Sequence, residues 1–291
     1  MSSSQCERFT TISSLRERLE IERRSGKKIG FLATMGALHE GHLTLARDLE
    51  PHCDIRVASV FVNPTQFNDP KDYQAYLINI DADQEALASA GVSILFAPSA
   101  EEMYPYGFQT TVLPGLLSVR WEGEHRPGHF AGMATVVAML LTIVAPDVTI
   151  FGEKDFQQLR IVEQMVKDLR MPVKILRGRL VRESDGLAMS SRNARLNPEN
   201  RKVAAAISAG LFSAREMAQG GEGSCDKILG AARAIIESIP GHVIDYLAVV
   251  NEENLEPLTH VAVDPSSTVK ARLLAVVRVQ GVRLLDNVAL Y

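Results

Sequence analysis

The chain has 291 residues, 46% hydrophobic and 23% charged, with a formal net charge of −4. That length suits one large domain or two smaller ones, and the composition can bury an ordinary core. Lys and Arg are scattered along the chain, which argues against generic nucleic-acid binding but leaves room for a local phosphate pocket.

Residues 1–8 hold no apolar signal core, and the most apolar stretch, Gly132–Ala145, is shorter than the ~20 residues of a membrane span. Cys6, Cys53 and Cys225 form neither a disulfide framework nor a metal motif, and a reducing compartment fits them. A cytoplasmic protein is expected, with no membrane and no nucleic acid among its partners. Residues 11–24 place Leu15, Leu19 and Ile21 among charges, which predicts an amphipathic helix. Lys28–Thr34 then reads as a strand, His42–Leu49 as a helix, and Asp54–Asn63 as a strand buried on both faces. Together these make a βαβ unit. The alternation continues with helices over 73–90, 129–144 and 156–169 and strands over 92–97, 148–151 and 173–176.

An α/β fold built on a doubly wound, Rossmann-like parallel sheet follows. After about residue 180 the texture changes. Residues 184–197 are polar and loop-like, with a hinge expected near Asp185-Gly186. Helices are predicted over 198–218 and 225–238, and strands over 243–250, 271–279 and 282–289, the last two as a hairpin. Residues 1–180 are therefore expected to form the Rossmann-like, ligand-binding domain, and 181–291 a smaller α+β lid.

Five segments carry polar chemistry. Met35-Gly36-Ala37-Leu38-His39-Glu40-Gly41-His42 lies between a strand end and a helix start, where backbone N–H groups and the helix dipole suit phosphate. His39 and His42 are three apart, so both can face one side of the first turn and donate to phosphate oxygens. A zinc protease motif needs its histidines four apart, which removes that reading. Phe151-Gly152-Glu153-Lys154-Asp155-Phe156-Gln157-Gln158 has the same strand-to-helix setting. Lys154 supplies a point charge, Asp155 a cap or a contact through Mg2+, and Gln158 a substrate amide. Gly186–Asn193 offers Ser190, Ser191 and Arg192 as a clamp for polyphosphate. Asn63 and Gln66, around a strand-ending Pro64, suit a hydroxy acid. His125, Arg126 and His129 suit an anion pocket or, equally, core and capping roles. No metal ion is assigned to a protein cage.

The runs TMGALHEGH, VNPTQF, RPGHFAGMATVV, FGEKDFQQL and DGLAMSSRN resemble those of pantothenate synthetase, the pantoate–β-alanine ligase family, in order from about Gly30 to Asn197. The paired histidines alone resemble the wider HxGH nucleotidyltransferase superfamily, and the paired Gln157 and Gln158 narrow the resemblance. It implies that ATP and (R)-pantoate form pantoyl adenylate with Mg2+, and that β-alanine then displaces AMP to give (R)-pantothenate. It assigns ATP binding to the positions of Met35–His42, Gly152–Asp155, Val181 and Met189–Arg192. It makes His42 the proton donor, gives pantoate and β-alanine to Gln66, and gives pantoate to Gln158. His39, Lys154 and Arg192 join His42 as the electrostatic machinery. The family is typically homodimeric. Two positions depart from it: Leu77-Ile78 stands where Pro-Arg is usual, and Trp121 replaces a smaller apolar residue.

Overall fold

A computed structural model describes residues 6–68, 73, 76, 79–262 and 268–291. The chain divides into two compact units, Met1–Glu153 with Gln157–Arg179, and Lys154–Phe156 with Leu180–Tyr291. It therefore crosses between them on both sides of Lys154–Phe156 and again after Arg179.

The first unit runs β1 (Glu7–Phe9), α1 (Ile12–Arg24), β2 (Ile29–Thr34), α2 (Glu40–Asp48), β3 (Ile55–Val60), α3 (Ile80–Ser89) and β4 (Ile94–Phe96). It continues through α4 (Ala100–Met103), α5 (Glu122–His125), α6 (His129–Val144), β5 (Val148–Gly152), α7 (Phe156–Asp168) and β6 (Lys174–Gly178). All six strands are parallel, in the order β1-β4-β3-β2-β5-β6. Thr11 caps α1, and Leu15 and Leu19 are its buried stripe. From α2 and α3, Leu45, Ala46, Leu49 and Leu87 pack on Leu32, Ala58, Leu95, Val148 and Ile150. The alternate strand residues Phe31, Val57 and Ile94 point to the opposite face and are equally buried. From β2 the chain winds outward through β3 and β4, then returns to β5 on the other side of β2. The β2–β5 edge is thus the switch point, where open α/β sheets bind ligands.

The second unit holds α8 (Pro198–Ala204), α9 (Ala206–Gln219), α10 (Cys225–Glu237), β7 (His242–Asn251), β8 (Ala271–Val279) and β9 (Val282–Ala289). Its sheet is antiparallel, ordered β7-β8-β9. Leu211 and Ala214 of α9 and Ile228 and Ala232 of α10 pack on Val249, Leu273, Ala275 and Val288. Gln280 and Gly281, at φ 47° and 85°, close the β8–β9 hairpin. Arg182 grips the buried Asp286 with two guanidinium nitrogens, at 2.7 and 2.8 Å. Asn287 donates to the Lys154 carbonyl (3.0 Å), and the Arg272 guanidinium lies 3.9 Å from the centre of the Phe156 ring.

Several elements differ from expectation. The helix expected over 198–218 is two, α8 and α9, meeting at Ala205. The helix expected from Tyr73 is described from Ile80, where Asn79 caps it by accepting from the Ala82 N–H (3.1 Å). Leu77 and Ile78 lie outside the described residues. Strand β1 is an addition; three residues of sequence carry too little periodicity to show it. All three cysteines are free, and burial pushes the Cys6 and Cys225 thiols up to about 11. Among the described residues no helix is long and apolar enough to cross a membrane.

Candidate active site

The first group of predicted residues gathers at the carboxyl end of β2. Thr34 donates to the Ser59 carbonyl (2.7 Å) and accepts from the Gly36 N–H (3.3 Å). Gly36 and Ala37 then take positive φ, 84° and 51°. A side chain at Ala37's φ is strained, and Asp83 holds it there. The two carboxylate oxygens of Asp83 accept from the backbone N–H groups of Ala37 (3.1 Å) and Leu38 (2.9 Å). Leu38 packs into the core beneath. Asp83 is 46 residues away in sequence from Ala37, so nothing in the motif pointed to it.

This brace delivers His39 and His42 as a reciprocal cap on α2. His39 Nδ1 accepts from the Gly41 N–H (3.1 Å), and His42 Nδ1 accepts from the His39 N–H (3.4 Å). The rings lie 4.1 Å apart, centre to centre. A neutral imidazole that accepts at one nitrogen carries its proton on the other. Each ring is therefore set as an Nε2–H donor, which suits phosphate oxygens. Glu40 is exposed and paired with Arg47, so only its backbone faces this role.

The second group sits beside it, at the end of β3. Pro64–Gln66 forms a single 3-10 turn capped by Asn63. Asn63 and Gln66 are both buried and joined side chain to side chain (3.1 Å), and Gln66 Nε2 donates to the sulfur of Met35 (3.0 Å). The two motifs therefore meet. Gly132 of α6 passes so close to this turn that a Cβ there would lie 2.5 Å from the Thr65 carbonyl oxygen. His129 and Arg126, read as anion-pocket or structural candidates, both reach the backbone of this turn. His129 Nδ1 lies 2.8 Å from the Gln66 carbonyl oxygen, and Arg126 donates to the same oxygen (3.3 Å).

The paired glutamines of α7 separate. Gln157 is buried, donates to the carbonyls of Leu117 and Arg120 (both 2.8 Å) and accepts from the Glu122 N–H (3.1 Å). It braces the loop that carries Trp121, itself at φ 56°. Gln158, in the same first turn, is only half-buried and keeps its place as the substrate candidate. Gly152 ends β5, next to β2 in the sheet, and Glu153 follows it.

The remaining predicted residues belong to the second unit. Lys154 is 22% exposed with its ammonium 3.4 Å from Asp155, which is half exposed. Residues 181–189 form a small irregular hairpin rather than a loose loop. Met189 N–H donates to the Val181 carbonyl (3.0 Å), and Glu183 N–H to that of Leu187 (2.8 Å). Arg201 pairs with Glu183 and Asp185, which holds Asp185 below the usual carboxylate range. Asp185 and Gly186 thus form the tip of a turn, tied to Arg201 through Asp185. Ser190 accepts from the Arg192 N–H (3.2 Å) and so caps the turn Ser191–Arg195, in which Arg192 is half-buried. Among the described residues no group of three His, Cys, Asp or Glu side chains is arranged to hold a metal ion.

The pantoate-beta-alanine ligase family profile matches residues 7–289. The pantothenate synthetase of Trichlorobacter lovleyi is 46% identical over 268 residues, covering 92% of this chain and 93% of that one. That of Aquifex aeolicus is 45% identical over 283 residues, covering 96% and 97%. Among solved structures, the pantothenate synthetase of Thermus thermophilus superposes with a TM-score of 0.91 at 44% identity, covering 98% of this chain and 99% of that one. A Francisella tularensis pantoate-beta-alanine ligase, complexed with beta-gamma ATP and beta-alanine, gives 0.78 at 32% identity, covering 98% of both chains. With a profile match along nearly its whole length and relatives this similar, the chain belongs to the pantoate-beta-alanine ligase family.

Proposed function

We propose that the protein joins (R)-pantoate to β-alanine with ATP, through pantoyl adenylate. The observation that carries the reading is the reciprocal cap of His39 and His42 at the carboxyl end of β2, in a chain of this family whose Met35, in the same motif, accepts from Gln66. A carboxylate is inert to amines because its oxygen is a poor leaving group. In the first step a pantoate carboxylate oxygen bonds to the α-phosphorus and the bond to pyrophosphate breaks. His39 and His42 donate through Nε2–H to phosphate oxygens as charge builds, which is the kind of fixed donor that lowers such barriers. Lys154 and Arg192 add positive charge. In the second step the β-alanine nitrogen bonds to the acyl carbon, AMP leaves with the former carboxylate oxygen, and the nitrogen loses a proton.

Gln66 and Gln158 bind the organic substrates, and Asn63 supports Gln66. Mg2+ would arrive with the triphosphate and neutralise part of its charge, with Asp155 as a partner through water. Residues 181–291 would serve as a lid, carrying Val181 and Met189–Arg192. The working form would be a homodimer in the cytoplasm. Large apolar side chains exposed between Tyr106 and Val119, with Leu113 at 77% and Leu116 at 84%, support pairing of two copies.

Product analysis tests the reaction. Pyrophosphate release should require pantoate, and AMP with pantothenate should require β-alanine as well. Nucleotide transfer to another acceptor would point to a different nucleotidyltransferase, and ATP binding without turnover to a regulatory protein.

A further inference from the structure

Gln66 is an amide, and its two ends have opposite uses: one donates and the other accepts. Which end faces a substrate is decided by what holds it. The orientation can be traced through groups that have no choice of role. The Gly132 carbonyl can only accept, and it lies 3.1 Å from Asn63 Nδ2. The Thr65 backbone N–H can only donate, and it lies 3.3 Å from Asn63 Oδ1. The Asn63 amide is therefore fixed in one sense. Its Nδ2 must then donate to Gln66, and the Gln66 atom receiving it is Oε1 (3.1 Å). That turns Gln66 Nε2 the other way, towards the sulfur of Met35. A thioether is a weak acceptor and Nε2 has two hydrogens, so the amide keeps donor capacity for an oxygen.

Asn63 Oδ1 is where the chain of constraints is anchored. Besides the Thr65 N–H it accepts from the Thr65 hydroxyl (2.9 Å) and, most closely, from the Tyr104 hydroxyl (2.7 Å). Tyr104 lies just beyond α4, 41 residues from Asn63, with its ring held edge-on against Phe108 and near Phe61. We propose that Tyr104 is a positioning residue which, through Asn63, fixes the Gln66 amide so that only its donor end is offered to substrate. This rests on the reading of Gln66 as a contact to pantoate and β-alanine. It adds a selection rule: with Oε1 engaged by Asn63 and Nε2 held only by a weak acceptor, the position favours a carboxylate or hydroxyl oxygen over an ammonium group. Burial raises the Tyr104 hydroxyl above its ordinary range, against a smaller opposing effect of Thr65, so it keeps its proton to donate.

The test is steady-state kinetics on the full chain, with Tyr104→Phe, Gln66→Ala and the double variant. Tyr104→Phe keeps the ring and removes only the hydroxyl. One neutral hydrogen bond predicts a rise of about three- to tenfold in KM for pantoate. KM for ATP should stay as in the wild type, and the thermal midpoint should fall by no more than about 2–4 °C, the share of one hydrogen bond. In the Gln66→Ala background the same substitution should change nothing further, because the amide it orients is gone. An equal pantoate penalty without Gln66, or a parallel rise in KM for ATP, overturns the relay in favour of general loosening. Wild-type kinetics in Tyr104→Phe, beside a clear defect in Gln66→Ala, overturn the role of Tyr104 alone. A wild-type protein that releases no pyrophosphate on addition of pantoate overturns the proposed reaction and, with it, the relay.

Discussion

The residues proposed for catalysis are few, and two of them, His39 and His42, form a reciprocal cap on α2. His42 is expected to act as a fixed donor, so His42→Ala should slow turnover by roughly 10²–10³-fold, read as kcat for pyrophosphate release. A near-wild-type kcat would remove it from the mechanism. Asp83 touches no proposed substrate, yet it satisfies two backbone N–H groups in a turn that Ala37 enters at positive φ. Asp83→Ala is expected to cost about 3–6 kcal/mol in urea unfolding, since its two hydrogen bonds to a charged group contribute about 1.5–3 kcal/mol each. It should also raise KM for ATP. At this scale the motif histidines were legible because their chemistry and spacing lie within four residues of chain. Asp83 and Tyr104 were not, because their partners are 46 and 41 residues away and nothing local marks them. Gln157, which with Gln158 marked the family in sequence, turns its amide into the Leu117–Glu122 loop, a role that neighbours 35–40 residues away in sequence do not announce.

At the scale of elements, the contact between α6 and the Pro64–Gln66 turn has no slack. Gly132→Ala would press a methyl group on the Thr65 carbonyl, so the turn or the helix must shift. The expected result is a loss of about 1–3 kcal/mol, the usual cost of overpacking, with KM for pantoate raised more than KM for ATP. Thermal melts beside kinetics would show both. In the second unit, His242 opens β7 buried, with neither ring nitrogen in a hydrogen bond of normal geometry. Burial lowers its pKa, offset in part by the nearby Ile236 carbonyl. The unfolded chain then binds the proton more readily than the folded one. This contribution to stability should be complete above the ordinary value of ~6.5 and fade as pH falls below it. His242→Gln should flatten that slope in unfolding curves at pH 7 and 5.5, and an unchanged slope would exclude His242 as its source. Strands and long helices were legible through their periodicity. The break between α8 and α9 was not, because Ala204, Ala205 and Ala206 are good helix formers that carry no stop signal.

For the whole molecule, the alternation of strands and helices was enough to name a parallel doubly wound sheet, because buried parallel strands read as apolar runs. The interruption of the first unit by Lys154–Phe156 was not legible, since three residues cannot announce which core they join. Homodimer formation is a prediction at this scale. Leu116→Glu should shift sedimentation from dimer to monomer if the exposed apolar segment is the interface, and an unshifted dimer would place the interface elsewhere.

The division at Lys154–Phe156 also has a consequence for how the protein is made. Asn287 reaches Lys154 across 133 residues of chain. During synthesis at about 5–20 residues per second, Lys154 is in place roughly 7–27 s before its partner is added. For that interval the sheet of the first unit can form, but the segment proposed to carry the catalytic ammonium has no Asn287 to dock on. A chain cut short before β9 should therefore hold a folded parallel sheet with Lys154 lacking its Asn287 contact. Docking of Lys154 on Asn287 would await the β8–β9 hairpin.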